Sequence, residues 1–299
     1  MASHSALFAP AKYSIIPELV KSEQLSQANG AMEAFTYLAI VIGTALGPFL
    51  SQTTGGRFGF MGVICVAVAV SGLAASLFIP RTPAAGAADS MSLFFLRDIW
   101  RTLREIRRDR DLFLAVIASA YFLLIGGFIY SNLIPYGIKH LGLGETQSGY
   151  LFVIAAIGIG AGSFWAGKLS GRNVEFGVVP LGAIGLTLSS AGLGFAQGFY
   201  SVFLLIFLMG VSAGLFIVPI NTFIQLRSPS QHRGQIVAAS NFLGWVGVLM
   251  ASGLIYCFAG LWKLSAEQMF IALGVMTLVP TIATIMLLPD FFVRFLCKT

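Results

Sequence analysis

The chain has 299 residues, of which 57% are hydrophobic and only 10% charged, against about 25% charged in an ordinary soluble domain. Its 18 basic and 12 acidic side chains cannot cover the apolar surface implied by 26 Phe and a mean hydropathy of +0.86, so a soluble globule is excluded. The net charge of +6 reads as a topology signal and not as a nucleic-acid surface, because the basic residues collect on one side of the expected membrane spans.

In chain order, residues 1–27 mix apolar and polar side chains and carry Lys12 and Lys21, which places 9–27 at the cytoplasmic side. The first eight residues lack a basic stretch, so they do not form a secretory signal. Two apolar runs follow, 28–50 and 58–79, each long enough for a hydrocarbon core that needs about 20 residues. Residues 80–111 break the pattern. PRTPAAGAADS reads as a loose linker, after which Leu96, Ile99, Trp100, Leu103 and Ile106 recur at helical spacing while Arg97, Arg101, Arg104 and Arg108 line another face. That alternation predicts an amphipathic helix on an anionic cytoplasmic leaflet. Six more runs follow at 112–134, 149–167, 176–196, 200–224, 236–260 and 268–289, with a cytoplasmic tail over 291–299. None of the runs alternates with period two, which excludes an outer-membrane barrel and leaves an all-α polytopic membrane protein with eight full spans.

Orientation follows from the loops. Fifteen basic residues, from Lys12, Lys21 and Arg81 through the 97–110 cluster to Lys168, Arg172, Arg227, Arg233, Arg294 and Lys298, fall on one side, and Arg57, Lys139 and Lys263 on the other. The richer side is expected in the cytoplasm, with the C-terminus there too. Cys65, Cys257 and Cys297, and likewise His4, His140 and His232, are too dispersed for a disulfide framework or a metal site, so neither metal nor cofactor is expected. The run Gly158, Gly160, Gly162, Ser163, Gly167 lies inside an apolar span with no strand before it, and predicts close helix packing and not a dinucleotide loop.

A shift of 208 residues lays Leu7-Phe8 on Leu215-Phe216, Ile16 on Ile224, Ser22 on Ser230, Tyr37 on Trp245 and Leu46 on Leu254. An even number of spans separates the copies, so both cross the membrane in the same direction, as in parallel-repeat transporters. The segment GSFWAGKLSGR, with Gly162, Gly167, Lys168 and Arg172, resembles the cytoplasmic loop motif of the major facilitator superfamily. SALFAPAKYSIIPELV (5–20), LSQANGAMEAFTYLAIVIGTALG (25–47) and RGQIVAASNFLGWVGVL (233–249) resemble its lysophospholipid transporter branch over essentially the whole chain. Ala9 stands where that branch often has Ser. The resemblance implies a partial facilitator fold, with the spans corresponding to helices five to twelve of twelve and residues 1–20 to the end of the fourth helix and the loop after it. Residues 1–79 would then be the rest of an N-terminal half, 80–111 a cytoplasmic linker and 112–290 a six-helix C-terminal half. It further implies that the chain is an incomplete copy and does not transport alone.

The implied activity is movement of a lysophospholipid such as lysophosphatidylethanolamine across the bacterial inner membrane by alternating access, with lipid bilayer and substrate as partners. LPDFFVRFL (288–296) resembles the junction after which some relatives continue into an acyltransferase and acyl-ACP synthetase, which implies such an enzyme as a further partner. No H-x-x-x-x-D motif occurs, so the chain itself is not expected to be an enzyme. Two other readings stay open: a facilitator for a small molecule or drug, and a non-transporting remnant or anchor of a lysophospholipid acyltransferase fusion.

Polar residues inside the spans supply the candidate sites. Glu33 is the acidic residue clearly within a span, where a charge costs roughly 2.5–3.5 kcal/mol on insertion scales. It is a candidate for binding substrate or a coupling ion, or else satisfies the helix end. Asn29 lies one turn earlier on the same face, and Asn241 aligns with Glu33 in the repeat. The resemblance raises Lys12 and Tyr13 as gate or headgroup residues. Asn132, Asn221 and Gln225 read as satisfiers of helix ends or of carbonyls freed by Pro219, Trp245 and Tyr37 as packing residues, and Arg233 as an inside anchor.

Overall fold

The computed structural model describes residues 2–53, 58–82, 95–170 and 177–287. Arg172, the 288–296 segment and most of the 80–94 linker lie outside them. Ten α-helices follow in order: α1 Ala2–Leu19, α2 Leu25–Thr53, α3 Phe58–Ser76, α4 Phe95–Ile106, α5 Arg110–Lys139, α6 Glu145–Leu169, α7 Val178–Leu193, α8 Phe199–Arg227, α9 Arg233–Ile255 and α10 Ala266–Leu287. A π turn, Tyr256–Leu261, prolongs α9. All eight expected spans fall on helices. Among the described residues, five stretches (59–76, 110–139, 145–169, 199–227 and 233–261) are long and apolar enough to cross a membrane, while Val178–Leu193 and Ala266–Ile282 are apolar but shorter. The chain is a multi-pass membrane protein of all-α class.

The expectation for residues 1–20, a helix end and the loop after it, left the boundary open. Lys12 and Tyr13 lie within α1, which has Pro10 and Pro17 inside it and ends at Leu19. The connection to α2 shrinks to residues 20–24, where Lys21 turns extended and Ser22–Gln24 forms one 3-10 turn. Contacts with α2, α8 and α9 hold α1 in place despite the N–H each proline removes.

Helix packing depends on missing side chains. A Cβ on Gly162 would collide with the Val211 carbonyl of α8, and one on Gly158 with that of Phe207. The same helix turns Gly167 toward α2, where a Cβ would lie 3.2 Å from both Gln27 Cα and the Ser26 carbonyl. A Cβ on Gly30, across that seam, would meet Gly167 Cα at 3.1 Å. The glycine run of α6 thus serves two neighbours at once, α8 and α2, which is close packing of the kind expected in lipid.

The two ends of the bundle are tied differently. At the end away from the basic residues, three α5 side chains one turn apart reach other segments. Asn132 Nδ2 donates to the Ala266 carbonyl at 2.9 Å, Tyr136 Oη to the Leu193 carbonyl at 2.8 Å, and His140 Nε2 lies 2.8 Å from the Ala196 carbonyl. Tyr136 is fully buried and packs edge-on against Phe270. At the basic end, Asp109 caps α5 by accepting from Leu112 N and takes a 2.6 Å hydrogen bond from Arg227 Nε at the end of α8. That guanidinium holds the Asp109 carboxyl below its ordinary value.

Candidate functional site

Two prolines in α1 and the polar first turns of α2 bring Tyr13, Glu33 and Tyr37 to face α5, α8 and α9 across a cavity of about 140 Å³. The opposite wall is amide and hydroxyl: Asn221 and Gln225 from α8, Ser240 and Asn241 from α9, and Ser119 from α5. Phe122, Leu123, Ile217, Ile224 and Val237 supply the apolar remainder.

Glu33 lies eight residues after Leu25, the start of α2. That is about 12 Å along the axis, too deep to cap the helix. It is only 7% exposed, and its Oε1 accepts from Tyr13 Oη at 2.6 Å. Lys12 donates to Thr36 Oγ1 at 2.6 Å, not to the carboxylate, and its Nζ stands 5.0 Å from the Tyr13 ring centroid. A carboxylate, a phenol and an ammonium group therefore converge where α1 crosses α2. The PAKY segment and Glu33 form one polar cluster.

The other sequence candidates divide. Asn29 does not line the cavity. Its Nδ2 donates to Gln225 Oε1 at 2.7 Å and Thr222 Oγ1 at 3.0 Å, and its Oδ1 accepts from Gln225 Nε2 at 3.0 Å, so the whole amide is spent in joining α2 to α8. Gln225 is thus a partner of Asn29 and not merely a satisfier of the Pro219 kink. Its own carbonyl accepts from Arg233 Nε at 3.1 Å, which anchors the start of α9. Asn241 lines the cavity with a buried Nδ2 that has no hydrogen-bond partner among the described residues.

The 208-residue register is informative at one turn and fails at the next. Glu33 and Asn241 reach the same cavity, as does Tyr37, but Trp245 is 66% exposed. Gly244 and Gly247 explain the divergence. A Cβ on either would strike Leu123 or the Ala120 carbonyl of α5, so that face of α9 is the buried one and Trp245 points away.

Of the loop motif, Gly162 and Gly167 are the close-approach positions already described, and Lys168 Nζ lies 4.5 Å from the Phe164 ring centroid. Ser119, Ser240 and Tyr37 were not singled out as cavity residues from sequence. The available signal was the four-residue spacing of Asn221 and Gln225, which puts two amides on one face of α8. Among the described residues no three His, Cys, Asp or Glu side chains converge.

The arrangement offers one buried carboxylate opposite a fan of neutral donors and acceptors. Comparison with known proteins agrees with a binding cavity. A profile of the Major Facilitator Superfamily matches residues 2–252. The chain is 29% identical over 255 residues to a lysophospholipid transporter, LplT, of Klebsiella pneumoniae subsp. pneumoniae, covering 84% of this chain and 63% of that protein. It is 27% identical over 253 residues to the Serratia proteamaculans protein of the same name, with 84% and 63% covered, and 29% identical over 250 residues to that of Pectobacterium carotovorum, with 82% and 60% covered. The chain therefore spans about three fifths of the length of the curated relatives it matches. With a superfamily match over most of its length and a fold of close-packed membrane helices around a polar cavity, the chain belongs to the Major Facilitator Superfamily.

Proposed function

We propose that this chain forms part of a transporter that moves lysophospholipid, such as lysophosphatidylethanolamine, across the bacterial inner membrane by alternating access. Residues 1–79 and 112–290 act as two bodies joined by the 80–111 linker, and the basic end of the bundle faces the cytoplasm. The names of the relatives support the substrate class, and an acyltransferase/acyl-ACP synthetase acting on the same lipid would consume what is delivered.

The observation that carries the reading is Glu33, a nearly inaccessible carboxylate kept in the membrane beside Tyr13 and aimed into a cavity. Holding a charge there is expensive, and a passive membrane anchor has no use for it. A cavity of about 140 Å³ is smaller than the 300–1,000 Å³ typical of drug-sized ligands. It suits a headgroup, with the acyl chain left against apolar helix faces outside. Glu33 then holds the cationic end of the headgroup or a coupling cation, and Asn241, Asn221 and Ser240 supply neutral hydrogen bonds to the rest. Tyr13 positions the Glu33 carboxylate, and Lys12 balances its charge from the far side of the phenol.

The test is uptake of labelled lysophosphatidylethanolamine by vesicles carrying a version of the chain extended by the helices expected to precede it, as wild type or Glu33→Gln. Gln preserves size and one acceptor but removes the charge, so folded protein is retained while uptake falls roughly tenfold or more, the worth of a charged hydrogen bond. Wild-type uptake by Glu33→Gln at normal expression sinks the proposal.

A further inference from the structure

Helix α4 differs from the other helices among the described residues: it is short, rich in arginine, and stands immediately before the span that begins at Arg110. From sequence its five apolar residues read as a single lipid-facing stripe. The fold divides that stripe. Thr102 and Ile106 are buried and Ile99 and Leu103 half-buried, because this side of the helix rests on α9 and α5. Leu96 and Trp100 are left over, 57% and 65% exposed.

At 3.6 residues per turn the rest of the circumference sorts into sectors. Beside the docked stripe come Leu96 and Trp100, then Arg104, Arg97 and Arg101, and last Glu105 and Asp98, which return to the other edge of the stripe. Where the basic and acidic sectors meet, Arg101 Nε and Glu105 Oε1 pair at 3.0 Å. Apolar and basic side chains therefore share one flank, and the acidic ones are turned away from it. Arg107 lies 5.7 Å from the ring centroid of Phe113 in the first turn of α5, which fixes the junction between helix and span.

We infer that α4 is a docking surface for an anionic phospholipid leaflet, with Leu96 and Trp100 entering the interface and Arg97 and Arg104 meeting lipid phosphates, while its opposite stripe grips α9 and α5. The occupant follows from placement and charge. The helix is held at the membrane boundary by the Asp109-capped start of α5. Its exposed apolar pair sits next to the arginines, where a bilayer interface offers headgroup and acyl chain together. With most of its apolar stripe committed to protein, α4 has little left to insert, so its grip on the leaflet is electrostatic and depends on lipid charge and on salt. Because the same helix rests on α9, which carries Asn241, the leaflet and the cavity wall are linked through one rigid element.

The experiment uses the full chain with Cys65, Cys257 and Cys297 replaced by Ser, and a fluorophore on Leu96→Cys or, as a control, on Glu105→Cys. The protein is placed in nanodiscs of phosphatidylcholine alone or with phosphatidylglycerol added. In the anionic discs the label at 96 is shielded from acrylamide and quenched by a nitroxide on the lipid headgroup, while the label at 105 stays open to acrylamide. High salt, which needs no further substitution, returns position 96 to water. Arg97→Gln and Arg104→Gln do the same, lowering the ratio of shielded to exposed label roughly fivefold for each arginine removed. Equal shielding in neutral and anionic discs, or shielding in neither, overturns the inference. An acidic soluble protein as the true occupant would give the second of these results, since the discs contain none.

Discussion

The far-end clasp of α5 and the central cavity are built from the same kinds of residue and use them in opposite ways. In the clasp, Asn132, Tyr136 and His140 each end on a backbone carbonyl of another segment, at 2.8–2.9 Å, although the Asn132 Oδ1 has no partner among the described residues. In the cavity, Asn241 keeps a buried donor without a partner among the described residues, and the Glu33 carboxylate takes a phenol on one oxygen. A buried polar group that is satisfied stabilises the fold. One left unsatisfied costs about 1–3 kcal/mol until something binds it. What sets the two regions apart is therefore where the polar groups face: the clasp donors Tyr136 and Asn132 reach carbonyls across a helix seam, whereas Glu33 and Asn241 face open space in the cavity.

The strongest way to break the comparison is at Tyr136. Tyr136→Phe keeps the ring against Phe270 but strands the Leu193 carbonyl in a fully buried site. A loss of about 1–3 kcal/mol is expected, read as a lower Tm of the detergent-solubilised protein. Uptake per folded molecule is expected to stay at the wild-type level. A variant with unchanged Tm and impaired uptake would place the clasp in the transport machinery and dissolve the distinction.

Asn241→Ala sharpens the comparison from the other side. It deletes a buried donor that has no partner among the described residues, so Tm is expected to hold or rise by less than about 1 kcal/mol equivalent. Uptake of lysophosphatidylethanolamine falls, by less than for Glu33→Gln, since a neutral hydrogen bond is worth about 0.5–1.5 kcal/mol. A clear drop in Tm with normal uptake would make Asn241 a second Asn132.

How much of this was legible in the sequence depends on what each residue touches. The spans were legible because lipid demands long apolar runs, and all eight fall on helices. The glycine run of α6 was legible as close packing, but not as a run that alternates between α8 and α2, which only the helix arrangement decides. Glu33 stood out by its desolvation cost alone, whichever partner it had. Asn29 looked like its companion because it lies one turn away on the same face, yet the fold gives that amide to Gln225, 196 residues further along the chain. Tyr37 and Trp245 aligned in the repeat and part in space because Gly244 and Gly247 turn α9 against α5. The resemblance gave residues 1–20 as a helix end and the loop after it without fixing the boundary, and contacts with α2, α8 and α9 carry the helix through Lys12 and Tyr13 to Leu19. Single-residue chemistry was readable; pairing across the chain was not.

The smallest expected effect lies at the basic end, where a third kind of polar contact, exposed and charged, joins Asp109 to Arg227 at 2.6 Å. The guanidinium, with the Leu112 N–H, holds the Asp109 carboxyl below its ordinary value, about 3.9 for Asp. A group whose pKa is depressed on folding adds stability that is present above the unfolded value and is lost as pH falls through the folded one. The contribution is therefore constant at neutral pH and declines only below about pH 4. Solvent reaches both partners, with 54% of the Arg227 side chain and 31% of the Asp109 side chain exposed, so screening keeps the effect small. Asp109→Asn retains an acceptor for Leu112 N–H and loses the ion pair. It should lower Tm slightly at pH 7 and at low salt, with the difference from wild type shrinking in high salt and vanishing in acid. Neither stability in the clasp nor uptake through the cavity should respond. If instead uptake by Asp109→Asn changes steeply with pH near neutrality, the link between the start of α5 and the end of α8 is a moving part, and the division between satisfied and unsatisfied polar groups must be redrawn to include it.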